Sequence, residues 1–114
     1  MYKLLFLPVA RQDMVDVAAY VSRVHANPEA AVSLAEIMVQ AVNQLTQFPY
    51  AHPVYIPIRP LKQEYRKLIV RNYLVLYWVD EEAGSVTIAR VLYVKRDYEK
   101  VLHETLTGQP PFQQ

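Results

Sequence analysis

The sequence predicts an α+β fold of order β-α-α-β-β-β-α, with an N-terminal strand and an α-hairpin packed on an antiparallel sheet. Three observations carry this. Apolar residues recur at helical spacing only in the first half, interrupted once at Asn27-Pro28. Three β-branched and aromatic runs crowd into residues 65–94, separated by short turn sequences. The chain has 114 residues, 53% of them apolar and 20% charged, which suits one globular domain with a single fold unit. Residues 1–107 are read as that domain and residues 108–114 as a frayed tail, because Gly108-Gln109-Pro110-Pro111 cannot continue a helix.

Tyr2 to Leu7 is a short aromatic and aliphatic strand, and Pro8 stops it because proline has no N–H to donate. The same proline suits the first turn of a helix. Met14, Val17, Ala18, Val21 and Val24 then fall at helical spacing, with Arg11, Asp13, Asp16 and Arg23 expected largely on other faces. Asn27-Pro28-Glu29 supplies a cap, a proline at the first helical position and an acid at the positive end of the dipole, so a second helix starts there. Leu34, Ile37, Met38, Ala41, Val42 and Leu45 form its buried stripe, and Phe48-Pro49 ends it. Prolines 49, 53, 57 and 60 exclude helix and disfavour a central strand, leaving a stiff extended crossover. A connection of that length is also often functional.

Tyr65–Arg71 and Tyr73–Val79 read as strands joined by a tight turn at Asn72. Glu81-Glu82-Ala83-Gly84 makes the next turn, with the paired carboxylates expected at a solvated tip. Ser85–Val94 is apolar on both faces, as a central strand should be. Asp97 is expected to cap a last helix from Tyr98 to Leu106.

Composition excludes several chemistries. With no cysteine there is no disulfide, thiolate metal site or cysteine nucleophile, and the chain suits a reducing compartment. His25, His52 and His103 lie far apart, so no metal is expected. Gly84 and Gly108 are too few for a phosphate-cradling loop or a dinucleotide fingerprint. No apolar run approaches the roughly 20 residues of a membrane span, and the single Lys3 and early Pro8 do not suit a secretory signal. A cytoplasmic protein without cofactor is the expectation. The net charge of +1 hides −1 over residues 1–54 and +2 over residues 55–114, so any basic site must be local.

Candidate residues are therefore basic and aromatic. Arg90 alternates with Val86, Ile88, Leu92 and Val94, and a charge on such a face must pair or open to a cleft. Arg66, Lys67 and Arg71 on the first hairpin, with Lys95 and Arg96 beyond the last strand and Tyr93 and Tyr98 beside them, are expected to form one basic, aromatic patch. Such a patch suits RNA, and an ordinary solvated strand end has nearly the same composition.

These residues also carry a resemblance. Pro8-Val9-Ala10, Asp13-Met14, Val17 and Tyr20 resemble the opening of the RelE/ParE toxin superfamily of type II toxin–antitoxin systems. Pro28 with Ala30-Ala31 and Leu45 with Phe48-Pro49 resemble its second helix. Tyr65-Arg66-Lys67-Leu68, Asn72-Tyr73-Leu74-Val75-Leu76-Tyr77 and Ile88 to Tyr98 resemble its closing strands, so that nearly residues 2 to 102 are covered in order. The resemblance implies a toxin neutralised by a cognate antitoxin that folds on binding. RelE-like members cut mRNA on the ribosome, whereas ParE-like members inhibit DNA gyrase. In the ribonuclease branch Arg66, Arg96 and Tyr98 match residues that surround the scissile phosphate, but Leu74 stands where that branch has an arginine; Lys67, Arg71, Arg90, Tyr93 and Lys95, from the basic and aromatic set above, are binding candidates. The Tyr-Leu-Val-Leu-Tyr strand and Arg90-Val91-Leu92 are closer to the ParE-like pattern, where histidine is common at the position of Tyr93. The favoured reading is a gyrase-directed toxin that is not an enzyme. A ribosome-dependent endoribonuclease and an inactive interaction module are the alternatives.

Overall fold

Pro8 ends one element and opens the next. The computed structural model describes residues 1–25, 27–58, 60–94, 101, 102, 105 and 106. Strand β1 (Lys3–Phe6) is followed directly by helix α1 (Pro8–His25). Helix α2 (Pro28–Asn43) begins as its sequence requires: the Asn27 side chain accepts from the Glu29 and Ala30 N–H groups, with Pro28 at the first helical position. A 3₁₀ turn (Gln44–Thr46) closes it. Strands β2 (Arg66–Val70), β3 (Tyr73–Asp80) and β4 (Ser85–Tyr93) form the meander. Residues 101, 102, 105 and 106 are helical, while Asp97, Tyr98 and the tail from residue 107 lie outside the described residues.

The strand order is β1-β4-β3-β2. The meander is antiparallel as expected, and β4 takes the central place its two apolar faces predicted. β1 adds to it in parallel, Lys3 opposite Ser85 through Phe6 opposite Ile88. Nothing in the four-residue pattern of that strand encodes its direction. It follows from the path: the chain leaves β1, folds its hairpin over one face, enters at the far edge and returns through β3 to β4.

One face of the sheet holds Tyr73, Val75, Tyr77, Val86, Ile88 and Val91 against Ala10, Met38, Val42 and Leu45 from the helices. Fully burying side chains such as Met38, Val42 and Leu45 stabilises by roughly 1.5–3 kcal/mol each. The other face holds Leu74, Leu76, Ala89 and Leu92 under Tyr55, Tyr65, Leu102 and Leu106. Val24, expected on the buried stripe, is 52% exposed at the end of α1. Asp13, expected outside, is 8% exposed.

Two local features depart from the simple pattern. The Val70–Tyr73 pair closes over two residues, and the left-handed φ of 58° falls on Arg71 rather than on Asn72, because the right-handed twist of a two-residue hairpin demands it at the first turn position. A register shift also separates Leu76, which faces Arg90, from Tyr77, which faces Ile88. Ala89 is thus the extra residue of a β-bulge. The bulge breaks the expected alternation: Val86 and Ile88 face the hairpin, whereas Leu92 lies in the opposite layer.

The proline-rich crossover runs along the outer edge of β2. The Tyr55 N–H donates to the Tyr65 carbonyl and the Lys67 N–H to the Pro53 carbonyl, with a single bridge between Val54 and Arg66. A proline-bearing segment in that place blunts an edge that would otherwise pair with another chain.

Candidate functional site

Arg90 stands at the bulge, and its buried guanidinium is engaged on two sides. Nε donates to Asp13 Oδ2 at 2.7 Å and Nη2 to Asp13 Oδ1 at 2.8 Å, while Nη1 donates to Thr105 Oγ1 at 3.1 Å. Asp13 Oδ2 also accepts the Val91 N–H at 2.9 Å. Of the two options open to a charge on an apolar face, Arg90 takes pairing: it ties β4 to α1 and to the C-terminal helical residues. Its partner Asp13 was expected on an outer face of α1. It sits three residues after Ala10 and four before Val17, on the buried side of α1.

Arg66 and Lys67 open β2, whereas Arg71 lies in the turn at its other end. Five residues of strand put Arg66 and Arg71 roughly 17 Å apart, so the single basic patch expected from sequence is divided. At the first end Arg66 donates through Nη1 to the His52 carbonyl at 2.7 Å, and its guanidinium lies 4.9 Å from the centre of the Tyr50 ring. The Tyr50 hydroxyl donates to Glu81 Oε2, which also accepts from the Tyr2 hydroxyl at 2.6 Å. These two donors hold the Glu81 carboxyl below its ordinary range, the Tyr2 bond being the larger cause. The same bond to Glu81, with burial and its charge behind it, pushes the Tyr50 phenol up to about 12. Glu81, expected as a solvated tip, is exposed but ties the β3–β4 turn to β1 and to the crossover.

At the second end, Tyr93 is 39% exposed and its ring lies 5.7 Å from that of Tyr73. These rings, with Asp16, Tyr20 and Val24 of α1 and Leu92, line a groove of about 600 Å³ between α1 and the ends of β3 and β4. Arg23 lies 5.9 Å from the centre of the Tyr20 ring at the groove's shoulder. Burial raises the pKa of Tyr73, with Tyr93 and Tyr20 as further causes. Lys95, Arg96 and Tyr98 lie outside the described residues.

Leu74 lies on the other face of the sheet. It is 2% exposed and packs in the layer of Leu76, Leu92, Leu102 and Leu106. Among the described residues, this face is an apolar layer. Among the described residues there is also no group of three or more His, Cys, Asp or Glu side chains that could hold a metal ion. No helix of the described residues is long and apolar enough to cross a membrane.

The described residues define a small α+β domain with a buried Arg90–Asp13 pair and a tyrosine-lined groove between α1 and the ends of β3 and β4. The family described as "ParE toxin of type II toxin-antitoxin system, parDE" matches residues 4–98, and the chain belongs to it. It is a toxin of the RelE/ParE superfamily, which implies a cognate antitoxin. A chain of the chromosomal ParDE system from P. aeruginosa is similar in fold, with a TM-score of 0.68 at 20% identity, covering 83% of this chain and 98% of that one. A chain of the RelBE2 toxin–antitoxin complex from Mycobacterium tuberculosis aligns with a TM-score of 0.53 at 24% identity, covering 81% of this chain and 96% of that one. No curated protein matches significantly.

Proposed function

We propose that this toxin acts in the cytoplasm as a ParE-like inhibitor of DNA gyrase and has no nuclease chemistry of its own. The observation that carries the reading is the buried Leu74 layer. A ribonuclease of this superfamily needs cationic groups around a scissile phosphate to stabilise its added charge. Here the third-strand position holds leucine under an apolar cover, and Arg66 is occupied by the His52 carbonyl and the Tyr50 ring. Opening that face to RNA would expose a hydrophobic layer.

The groove between α1 and the ends of β3 and β4 suits the antitoxin. A segment that folds on binding needs a concave, largely apolar surface on which to order, and tyrosines supply contact area with few rotors to freeze. Tyr20, Tyr73 and Tyr93 provide that. Inhibition of gyrase is then contact between two folded proteins, and neutralisation is competition or distortion caused by the bound antitoxin.

The test is expression of the chain without antitoxin, with two readouts from the same arrested cells. Relaxed plasmid topoisomers with intact mRNA are expected. New cuts at A-site codons by primer extension, lost in Arg96→Ala, would instead establish the ribosome-dependent endoribonuclease. Unimpaired growth at verified expression would make the chain an inactive interaction module.

A further inference from the structure

The crossover carries two isoleucine side chains that the core leaves uncovered. Val54 and Tyr55 are held against β2 and Tyr65, and Tyr55 is buried. The next residues turn outward: Ile56 is 81% exposed and Ile58 is 84% exposed, the two most exposed isoleucines or leucines among the described residues. They flank Pro57, so the chain between them has a restricted φ and little freedom to lose on binding. Two large β-branched side chains, presented on a proline-stiffened backbone, make a convex apolar ridge.

The sequence that follows the ridge is net basic. Residues 59–67 hold Arg59, Lys62, Arg66 and Lys67 against the single acid Glu64. Lys62 is exposed, Lys67 is half-buried, and neither has an ion-pair partner among the described residues. The surface that complements this is an apolar groove with an acidic rim.

We propose that the Ile56–Pro57–Ile58 ridge is the surface by which the toxin engages its folded protein target, inserting both isoleucines into an acidic-rimmed apolar groove of that target. Shape selects the target over the antitoxin: a stiff convex ridge needs a preformed groove, which a segment that is disordered until bound does not possess. The target's name rests on the gyrase reading above. The ridge's role does not.

The test compares wild type with the double variant Ile56→Asp/Ile58→Asp, using Val32→Asp on the exposed face of α2 as a control for added surface charge. Circular dichroism melts verify that all three fold alike. In a gyrase supercoiling assay the double variant is expected to lose about 30-fold in potency, the scale of two anchoring side chains, while Val32→Asp stays within about twofold. Lys62→Glu is expected to weaken inhibition further at low salt than at high salt. Antitoxin captured on the double variant should equal that on wild type. A double variant as potent as wild type overturns the proposal, and so does a matched loss of antitoxin capture. If wild type itself leaves gyrase untouched, the gyrase reading fails alone, and growth arrest becomes the readout. Abolished arrest in the double variant then supports the ridge, and undiminished arrest overturns it.

Discussion

Truncating Asp13 should be the most damaging single polar substitution among the described residues. Its carboxylate makes two bonds to the Arg90 guanidinium, at 2.7 and 2.8 Å, and a third to the Val91 N–H at 2.9 Å. Both side chains lie in buried residues, Asp13 at 8% and Arg90 at 7% exposure. Asp13→Ala leaves a buried cation without its counter-charge, which costs about 3–5 kcal/mol, and the orphaned N–H falls within or adds to that. Since a domain of this size holds only about 5–15 kcal/mol in total, the loss is a large share of it. With a urea m-value of about 1.5 kcal/mol/M, the unfolding midpoint should fall by about 2–3 M. Removing both charges behaves differently, because no uncompensated ion remains. Asp13→Leu/Arg90→Met should be more stable than either single variant, giving a coupling of about 2 kcal/mol or more in a double-mutant cycle. Additive single effects below about 1 kcal/mol would refute the reasoning and show that solvent reaches the pair.

Further outcomes follow from the same geometry. Asn27→Ala removes the cap of α2 and should cost about 1 kcal/mol in thermal or urea unfolding. Arg71→Asn keeps the turn while favouring its φ of 58°, and should raise the unfolding midpoint slightly, whereas a bulky Arg71→Ile should lower it. Leu74→Arg restores the ribonuclease-like residue, but at a position 2% exposed, so chemical unfolding should show a loss of several kcal/mol and primer extension no new mRNA cuts. The lowered pKa of Glu81 contributes stability that is present above the ordinary carboxylate range and lost as pH falls through the lowered value. Tyr2→Phe/Tyr50→Phe should therefore flatten the acid side of the pH–stability curve and return Glu81 toward its ordinary titration by NMR. The raised phenols act at the other extreme: Tyr65 and Tyr77, both pushed up to about 12 by burial, hold stability below pH 10 that is lost as pH rises through about 12.

Local signals carried most of the architecture. Pro8 and Asn27-Pro28 announce two helix starts, and both helices begin there. Four prolines kept residues 49–60 out of the sheet interior, and the segment lies at its edge. What could not be read was non-local. Asp13 was set among polar-face residues by its type, although its spacing from Ala10 and Val17 placed it on the buried side; Arg90's need for an acid was the signal that would have found it. A one-residue bulge has no signature in Ile88-Ala89-Arg90, yet it reverses the parity of every residue after it. The basic candidates looked contiguous because sequence order ignores strand length, which separates Arg66 from Arg71. Lys95, Arg96 and Tyr98 fall outside the described residues. Glu81 shows the converse case, a turn acid whose tyrosine partners come from positions 2 and 50.

The central claim is that this toxin stops growth by binding gyrase rather than by cutting RNA. Its most direct test is supercoiling of relaxed plasmid by purified gyrase, titrated with the purified chain in the absence of ribosomes. The account predicts dose-dependent loss of supercoiling that stoichiometric antitoxin reverses. Full supercoiling at toxin concentrations far above those that arrest growth would contradict it.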